Sequence, residues 1–234
     1  MAKVLWNTHI DSNYYLIKVD QVDDVKPGQF YMLRAWDKYP ILSRPISIYD
    51  ADEEGLTFFY EVRGEGTQRI RDLEPGDELT CYGPYGNSFN AEGVDAVTLV
   101  GGSVGAAPFY YLAKVLRRNN PKCRIEFYLG ERETQSLETA FSDLDVNLHV
   151  KKGGLITEDL TYDTKLLYTC GPDPMMRAVT LAALDAGCDV MISLDNRMGC
   201  GVGACLSCTC TTKSGNKRAC VEGPVFEGGD VYGK

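Results

Sequence analysis

The chain has 234 residues, with 24 lysines and arginines against 33 aspartates and glutamates, for a formal net charge of −9. This length suits one large domain or two of ordinary size. An acidic chain lacks the electrostatic attraction on which nucleic-acid binding depends, so we expect no nucleic-acid partner. No run of about 18 apolar residues occurs, which favours a soluble, cytoplasmic protein without a membrane partner.

Residues 1–92 predict a small antiparallel β-barrel. Runs rich in β-branched and aromatic residues occur at 14–19, 29–33, 45–49, 56–62 and 78–82. Turn signals such as Pro27-Gly28 and Pro75-Gly76-Asp77 separate them. Many short strands at regular spacing are typical of a barrel.

Residues 93–193 predict a parallel sheet with helices. The apolar run 94–100 ends in Gly101-Gly102-Ser103-Val104-Gly105-Ala106-Ala107-Pro108, and a helix follows with Phe109, Leu112 and Leu116 on one face. Further strands are expected at 125–129, 146–150 and 166–169. Asp173 and Pro174 open a second helix that ends before Gly187. Alternating strands and helices favour an α/β domain.

The glycine turn after the first of these strands is a candidate phosphate site. Gly101, Gly102 and Gly105 precede a helix N-terminus, where free amides attract phosphate. The spacing departs from the G-x-G-x-x-G fingerprint, so a tight connection is the competing interpretation. Glu131 ends the next strand and suits a ribose hydroxyl, whereas Arg132 suits a phosphate. The choice between NADH and NADPH stays open, and we lean to NADH.

Residues 194–234 carry a cysteine motif that predicts a 2Fe-2S cluster. Cys200, Cys205 and Cys208 have the spacing of plant-type ferredoxins, and Cys220 supplies a distant fourth thiolate. Cys210 is the competing fourth ligand. Gly201 and Gly203 let the loop turn with its amides pointing inward. A zinc site is the alternative, but zinc usually takes paired Cys-x-x-Cys knuckles or a mixture with histidine.

Five motifs across residues 4–193 resemble those of the ferredoxin reductase family. They are Arg44-Pro45-Ile46-Ser47, Gly64-Glu65-Gly66-Thr67, Pro75-Gly76-Asp77 with Gly83-Pro84-Tyr85-Gly86, Gly101-Gly102 through Pro108, and Cys170-Gly171-Pro172. With the cysteine segment added, the chain resembles the family of electron-transfer subunits of NAD-dependent dihydroorotate dehydrogenases.

The resemblance implies a set of binding residues. For FAD it implies Arg44, Pro45, Ile46, Ser47, Phe59, Tyr60, Glu61, Gly66 and Thr67. For NAD it implies Gly101, Gly102, Gly105, Cys170, Gly171 and Pro172. For the cluster it implies Cys200, Cys205, Cys208 and Cys220. No catalytic residue is implied in this chain, because dihydroorotate would be oxidised on another subunit.

The resemblance also implies a partner, an FMN-containing catalytic subunit, in a heterotetramer of two plus two. Electrons would pass from that subunit through the cluster and FAD to NAD+, since a flavin exchanges both single electrons and hydride. Two alternatives stay open. One is an NAD(P)H-linked ferredoxin reductase or diaphorase subunit of another complex, and the other is a non-enzymatic, zinc-stabilised binding module.

Overall fold

The computed structural model describes residues 1–233, and its first part is a closed antiparallel barrel. The strand order around the barrel is β1-β2-β5-β4-β3-β6. The six strands are β1 (Ala2–Asp11), β2 (Tyr14–Val19), β3 (Phe30–Arg34), β4 (Arg44–Ala51), β5 (Leu56–Glu61) and β6 (Glu78–Tyr85). The predicted antiparallel barrel is confirmed.

The barrel interior is filled by large side chains from several strands. Ile17, Tyr31, Ile48 and Phe58 are all fully buried. A short helix, α1 (Glu65–Arg71), follows β5 and buries Ile70 against this core. The sequence does not predict this helix, because Gly64 and Gly66 flank its first residue and glycine disfavours a helix.

The second part is a six-stranded sheet of order β14-β11-β10-β7-β8-β9, in which every pair but β14–β11 is parallel. Its parallel strands are β7 (Ala96–Gly102), β8 (Arg124–Glu131), β9 (Asn147–Lys152), β10 (Leu166–Cys170) and β11 (Asp189–Ser193). Two helices connect them, α2 (Ala107–Asn119) and α3 (Asp173–Asp185). The predicted parallel α/β unit is confirmed.

Helix α2 joins the sheet to the barrel. Tyr110 on α2 stacks on Tyr49 of β4 with ring centroids 4.1 Å apart. The Lys114 Nζ lies 2.6 Å from a carboxylate oxygen of Asp50 on the same strand. These contacts, one apolar and one ionic, fix the cleft between the barrel and the carboxyl edge of the sheet.

The cysteine segment folds back onto both parts. It contains the hairpin β12 (Thr209–Thr212) and β13 (Gly215–Arg218), the strand β14 (Val225–Glu227) and the short helix α4 (Gly228–Val231). β14 pairs antiparallel with β11 and so completes the sheet. The boundaries 1–92, 93–193 and 194–234 stay a prediction. Within residues 1–233, the helices are all too short or too polar to cross a bilayer.

Candidate functional site

A first cavity, the barrel cavity, opens where β4 and β5 face the sheet. Its volume is about 350 Å³. Its walls include Arg44, Pro45, Ile46 and Ser47 of β4, together with Phe59 and Glu61 of β5 and the Thr67 side of α1. The predicted FAD residues of β4 are therefore brought together in one wall.

Arg44 is positioned by its neighbours rather than left in solvent. Its guanidinium lies 5.4 Å from the centre of the Trp36 ring, a cation–π distance. A Cβ on Gly66 would lie 2.6 Å from the Arg44 Nε, so a side chain at position 66 would displace the guanidinium from this place. An arginine held against a glycine backbone in this way presents its planar fork to an anion such as a diphosphate.

Three of the predicted FAD residues have contacts of their own. The Thr67 hydroxyl accepts hydrogen bonds from the Arg63 and Gly64 amides at 2.9 and 3.2 Å, which caps α1. Glu61 pairs with the Arg63 guanidinium at 2.6 Å. Tyr60 does not line the barrel cavity; it is buried and donates its hydroxyl to Asn7 at 3.2 Å.

A second cavity, the glycine-turn cavity, lies at the carboxyl ends of the parallel strands. Its volume is about 660 Å³. Gly102 and Gly105 line it from the turn after β7, and Gly171 and Pro172 line it from the turn after β10. Ligands of parallel α/β sheets bind at this edge. Gly101 lies outside the lining, where a Cβ would collide with Ala106 at 2.6 Å.

The glycine turn is tightly packed, which explains why small residues occur there. A Cβ on Gly102 would lie 2.7 Å from the Met175 Sδ, and a Cβ on Gly105 would collide with the backbone of Gly171. Ser103, between them, has a φ of 51°, a left-handed conformation that is uncommon for residues other than glycine. The turn can therefore offer backbone amides to a phosphate at close range.

Asp195 and Cys170 lie where the cavities meet. Both line the barrel cavity, and Asp195 also lines the glycine-turn cavity. Burial raises the pKa of Asp195, against the opposing charge of Arg63. Burial also raises the pKa of the Cys170 thiol to about 12, so Cys170 is a neutral thiol and not a thiolate nucleophile.

A third, small cavity continues from this junction toward the cysteine segment. Its volume is about 30 Å³, and its walls join Pro45 and Ser47 of the barrel to Met198 and Pro224 of the cysteine segment. Cys170 and Asp195 also line it. The three cavities therefore share walls, and Asp195 lines all three.

The four predicted cluster ligands lie in two pairs. The Cys208 Sγ lies 3.3 Å from the Cys220 Sγ, and both thiols are buried. The Cys205 amide donates to the Cys200 Sγ at 3.4 Å. Cys210 instead points its Sγ at the Lys217 carbonyl, 3.5 Å away.

The two cysteine pairs fit an iron-sulfur cluster. A 2Fe-2S cluster takes two protein ligands on each of two irons, so two separate pairs are the expected arrangement.

The thiol pKa values also fit a metal-binding loop. Hydrogen bonds from the Ser207 side chain and amide lower the pKa of the Cys205 thiol to about 6, which favours the thiolate that binds metals. Burial and the neighbouring Cys208 raise the pKa of Cys220 to about 11. A bound cation removes this repulsion between crowded thiolates, so the donor set fits a cluster.

The loop conformation around these cysteines depends on glycine. Gly201 and Gly203 have φ values of 75° and 78°, where a side chain is strained. A Cβ on Gly201 would lie 2.9 Å from Met32 of the barrel. Arg218 donates to the Gly203 carbonyl at 3.2 Å and is itself held by Glu222 at 3.0 Å.

Three residues of the candidate site were not predicted from the sequence. Arg63, Asp195 and Arg218 belong to no short motif, and each acquires its place through the packing of distant segments. The only sequence signal for Asp195 is that it follows the last parallel strand, at the edge where ligands bind.

Comparison with known proteins supports the assignment of the cysteine segment to an iron-sulfur cluster. Residues 195–232 match the family model described as the iron-sulfur cluster binding domain of dihydroorotate dehydrogenase B. The chain is 41% identical to the electron transfer subunit of dihydroorotate dehydrogenase B (NAD(+)) of Clostridium acetobutylicum, covering 99% of this chain and 96% of that one. The corresponding subunit of Clostridium perfringens is 38% identical, covering 98% and 96%.

Solved structures share the fold. The NADH-dependent reduced ferredoxin-NADP oxidoreductase superimposes with a TM-score of 0.88 at 27% identity, over 99% of this chain and 89% of that one. A ferredoxin NADP+ reductase of Neisseria gonorrhoeae with bound FAD and NADP gives 0.64 at 16% identity, over 80% and 90% of the chains, and shows the fold alone. The identity to the Clostridium subunits over nearly the whole of both chains shows that this chain belongs to the family of electron transfer subunits of dihydroorotate dehydrogenase B (NAD+).

Proposed function

We propose that this chain conducts electrons between a 2Fe-2S cluster and NAD+ through bound FAD, as one subunit of a dihydroorotate dehydrogenase. The relatives named above are electron transfer subunits of that enzyme. The observation that carries the proposal is that the three cavities adjoin at Asp195, which lines all of them, and that Cys170 lines two of them. Groups bound in adjoining cavities are close enough to exchange electrons without a moving part.

In this proposal, the barrel cavity holds FAD, the glycine-turn cavity holds the nicotinamide nucleotide, and the cysteine segment, which borders the third cavity at Met198 and Pro224, holds the cluster. Arg44 and the Gly66 backbone bind the diphosphate of FAD, while Pro45, Ile46, Ser47 and Phe59 shape the space for the rest of the molecule. Gly102, Gly105, Gly171 and Pro172 bind the nicotinamide nucleotide. Cys200, Cys205, Cys208 and Cys220 hold the cluster. Bound FAD supplies the conversion between hydride transfer and single-electron transfer.

The residues at the junction supply one neutral wall and one pair of opposite charges. Cys170 is buried and neutral, and Asp195 faces Arg63 across the cavity. Phe59 and Tyr14 stack beneath the barrel cavity with ring centroids 5.7 Å apart, which closes it from that side.

The partner is proposed to be an FMN-containing catalytic subunit that oxidises dihydroorotate, in a heterotetramer of two plus two. The surface at the cysteine loop supports a protein partner there. Val202, Leu206 and Val221 are 56%, 61% and 45% exposed around the exposed Cys205. Apolar side chains grouped on an exposed loop favour a protein interface.

Reconstitution tests the proposal. Anaerobic mixing of this chain, loaded with FAD and cluster, with the catalytic subunit is expected to give NAD+ reduction that depends on dihydroorotate. Omitting this chain should abolish NAD+ reduction but leave reduction of an artificial dye by the catalytic subunit. Dihydroorotate oxidation that fails to reach NAD+ in the complete mixture would refute the proposal.

A second candidate is favoured by one observation. The 27% identity to the NADH-dependent reduced ferredoxin-NADP oxidoreductase extends over 99% of this chain. A ferredoxin-linked reductase subunit would use the same three cavities with another partner. Assays with reduced ferredoxin and with dihydroorotate plus the catalytic subunit separate the two candidates, because only the true donor supports NAD+ reduction. Iron and zinc analysis of the purified chain tests the remaining alternative, a zinc-stabilised binding module.

A further inference from the structure

The four predicted cluster ligands come from two stretches of chain. Cys200, Cys205 and Cys208 lie in the loop 199–208, while Cys220 lies in the turn that follows β13. At one end of the loop, the Ala219 amide donates to the Cys208 carbonyl at 3.2 Å and joins the two stretches. A cage of four thiolates keeps its geometry if the other end of the loop is also held, because groups around a metal site orient its ligands.

Arg218 makes a second connection between the two stretches. It is the last residue of β13, and its guanidinium donates to the Gly203 carbonyl in the loop 199–208 at 3.2 Å. Its own carbonyl accepts from the Val221 and Glu222 amides at 3.1 and 2.9 Å, which closes the turn that contains Cys220. One residue therefore contacts the loop through its side chain and the turn through its backbone.

Glu222 fixes the side chain of Arg218 in this position. Its carboxylate accepts from the Arg218 Nε at 3.0 Å and from the Arg218 amide at 2.8 Å. The two side chains are 37% and 33% exposed, so this pair is more ordered than an ion pair in open solvent. A Cβ on Gly203 would lie 3.0 Å from the Arg218 Nη1 and 2.7 Å from Val221, so the loop packs closely against the pair.

The pair also places two opposite charges beside the thiolates. A 2Fe-2S cluster on four thiolates is an anion that gains one more negative charge on reduction, and nearby charges and hydrogen bonds set its reduction potential. The guanidinium favours the reduced form, whereas the carboxylate disfavours it. Removal of either group leaves the charge of the other without its partner.

We infer that Arg218, held by Glu222, is a positioning residue for the cluster and ties the Gly203 side of the cage to the turn that carries Cys220. The inference rests on the proposed function, because it requires that the four cysteines hold a 2Fe-2S cluster. The contact slows the opening of the cage through which iron is lost. The paired charges offset each other in their effect on the reduction potential.

Cluster loss to a chelator tests the positioning role without electron transfer to NAD+. The FAD-loaded, cluster-containing chain is incubated anaerobically with EDTA, and the decay of cluster absorbance is followed beside the FAD content. We expect Arg218→Gln and Glu222→Gln each to lose the cluster about tenfold faster than the parent chain, because each removes hydrogen bonds between charged groups. Arg218→Lys should be intermediate, since it keeps the charge and loses the planar fork. FAD content should stay unchanged.

The reduction potential of the cluster, measured by EPR during a redox titration, separates this role from general support of the fold. Arg218→Gln should lower the potential and Glu222→Gln should raise it. Lys217→Gln is the matched control, because Lys217 has the same charge and strand but, by alternation, the opposite face of β13. It should lose its cluster at the parental rate and shift the potential less than Arg218→Gln does.

Parental rates of cluster loss in Arg218→Gln and Glu222→Gln would overturn the inference and leave the proposed function standing. Potentials that move in the same direction in these two variants would also overturn it. If the glutamine variants are isolated without a cluster, Arg218→Lys decides, and a parental rate of loss in that variant would overturn the inference. A parent chain that contains no iron would overturn the inference together with the proposed function.

Discussion

At the scale of single residues, the contacts of the cysteines distinguish the four predicted cluster ligands from Cys210. The Cys208–Cys220 and Cys200–Cys205 contacts form two pairs, while Cys210 contacts a backbone carbonyl. We expect Cys205→Ser to abolish the visible absorbance of the cluster and to leave that of the flavin, because a hydroxyl is a poor substitute for a thiolate on iron. Absorption spectra with iron analysis check this.

Cys210→Ser is the control for this prediction. It changes the same atom on a neighbouring residue that lies outside the two pairs, so iron content should stay at that of the parent chain. If Cys210→Ser lost the cluster and Cys220→Ser kept it, the fourth ligand would be Cys210 and not Cys220.

Two glycines that line the glycine-turn cavity differ in the room around them. A Cβ on Gly105 would collide with the backbone of Gly171, whereas a Cβ on Gly130 would come no closer than 3.4 Å to Ile156. We therefore expect Gly105→Ala to weaken nucleotide binding by about tenfold or more, because the two turns must separate. Gly130→Ala should bind normally. Dissociation constants for NADH measure both, and equal effects would contradict this account of the turn.

The raised pKa of Asp195 predicts that the free energy of unfolding depends on pH. Its pKa in the folded chain is raised above the ordinary 3.8 by burial, with Arg63 opposing. The folded state therefore holds the proton more tightly than the unfolded state, and the free energy of unfolding falls as pH rises from 3.8 through the raised pKa. Asp195→Asn should raise the free energy of unfolding at pH 7 by a small amount, because Asp195 is exposed and solvent screens its charge, and should have little effect below pH 3.8. Urea unfolding at several pH values tests the sign, and destabilisation at pH 7 would contradict it.

At the scale of elements, the turn between β1 and β2 reaches across to the loop that follows β8. The Asp11 carboxylate accepts from the Ser136 amide at 2.6 Å, and the Tyr14 hydroxyl accepts from the Gln135 side chain at 3.0 Å. Gln135 in turn accepts from the Arg132 amide at 3.0 Å. The barrel therefore positions a loop that lines the glycine-turn cavity.

Removing this support should loosen the loop without unfolding the barrel. We expect Tyr14→Phe to raise the KM for the nucleotide several-fold with little change in kcat, because the phenol acts on binding and not on electron transfer. Its ring still packs on Phe59, so FAD content should be unchanged. Tyr15→Phe is the control. A fall in kcat at constant KM would assign Tyr14 a different role.

Much of the fold was predictable at this scale. The predicted strand 14–19 matches β2, and the expected helix opening at Asp173 matches α3. β1 was not predicted, because its exposed centre lacks a clear alternation of apolar residues. β14 was not predicted either, since a three-residue strand becomes stable only by pairing with β11, far away in sequence.

The candidate site was predictable in part. The motif 44–47 lines one cavity, as the resemblance implied. Among the consecutive residues 59–61, however, only Phe59 and Glu61 face that cavity, because side chains of a strand alternate between its two faces. Tyr60 therefore points the other way, and alternation alone would have identified it. The orientation of Glu131 was beyond sequence analysis, since its partner at Leu137 depends on how the loop folds.

At the scale of the whole molecule, the C-terminal segment packs against the elements that form the cavities. β14 completes the sheet, and Tyr232 after α4 donates its hydroxyl to Asp173 at 2.5 Å, at the start of α3. Asp173 lines the glycine-turn cavity, so the segment that carries the cysteines also braces the nucleotide site. This arrangement predicts that the chain binds cluster, FAD and nucleotide as one folded body.

The most direct test of the central claim is the visible spectrum of the pure chain, prepared anaerobically, before and after addition of NADH, with iron, sulfide and FAD measured on the same sample. The account predicts two irons and one FAD per chain, and loss of both flavin and cluster absorbance on adding NADH. A chain that contains zinc in place of iron, or whose cluster absorbance does not respond to NADH while its flavin does, would contradict it.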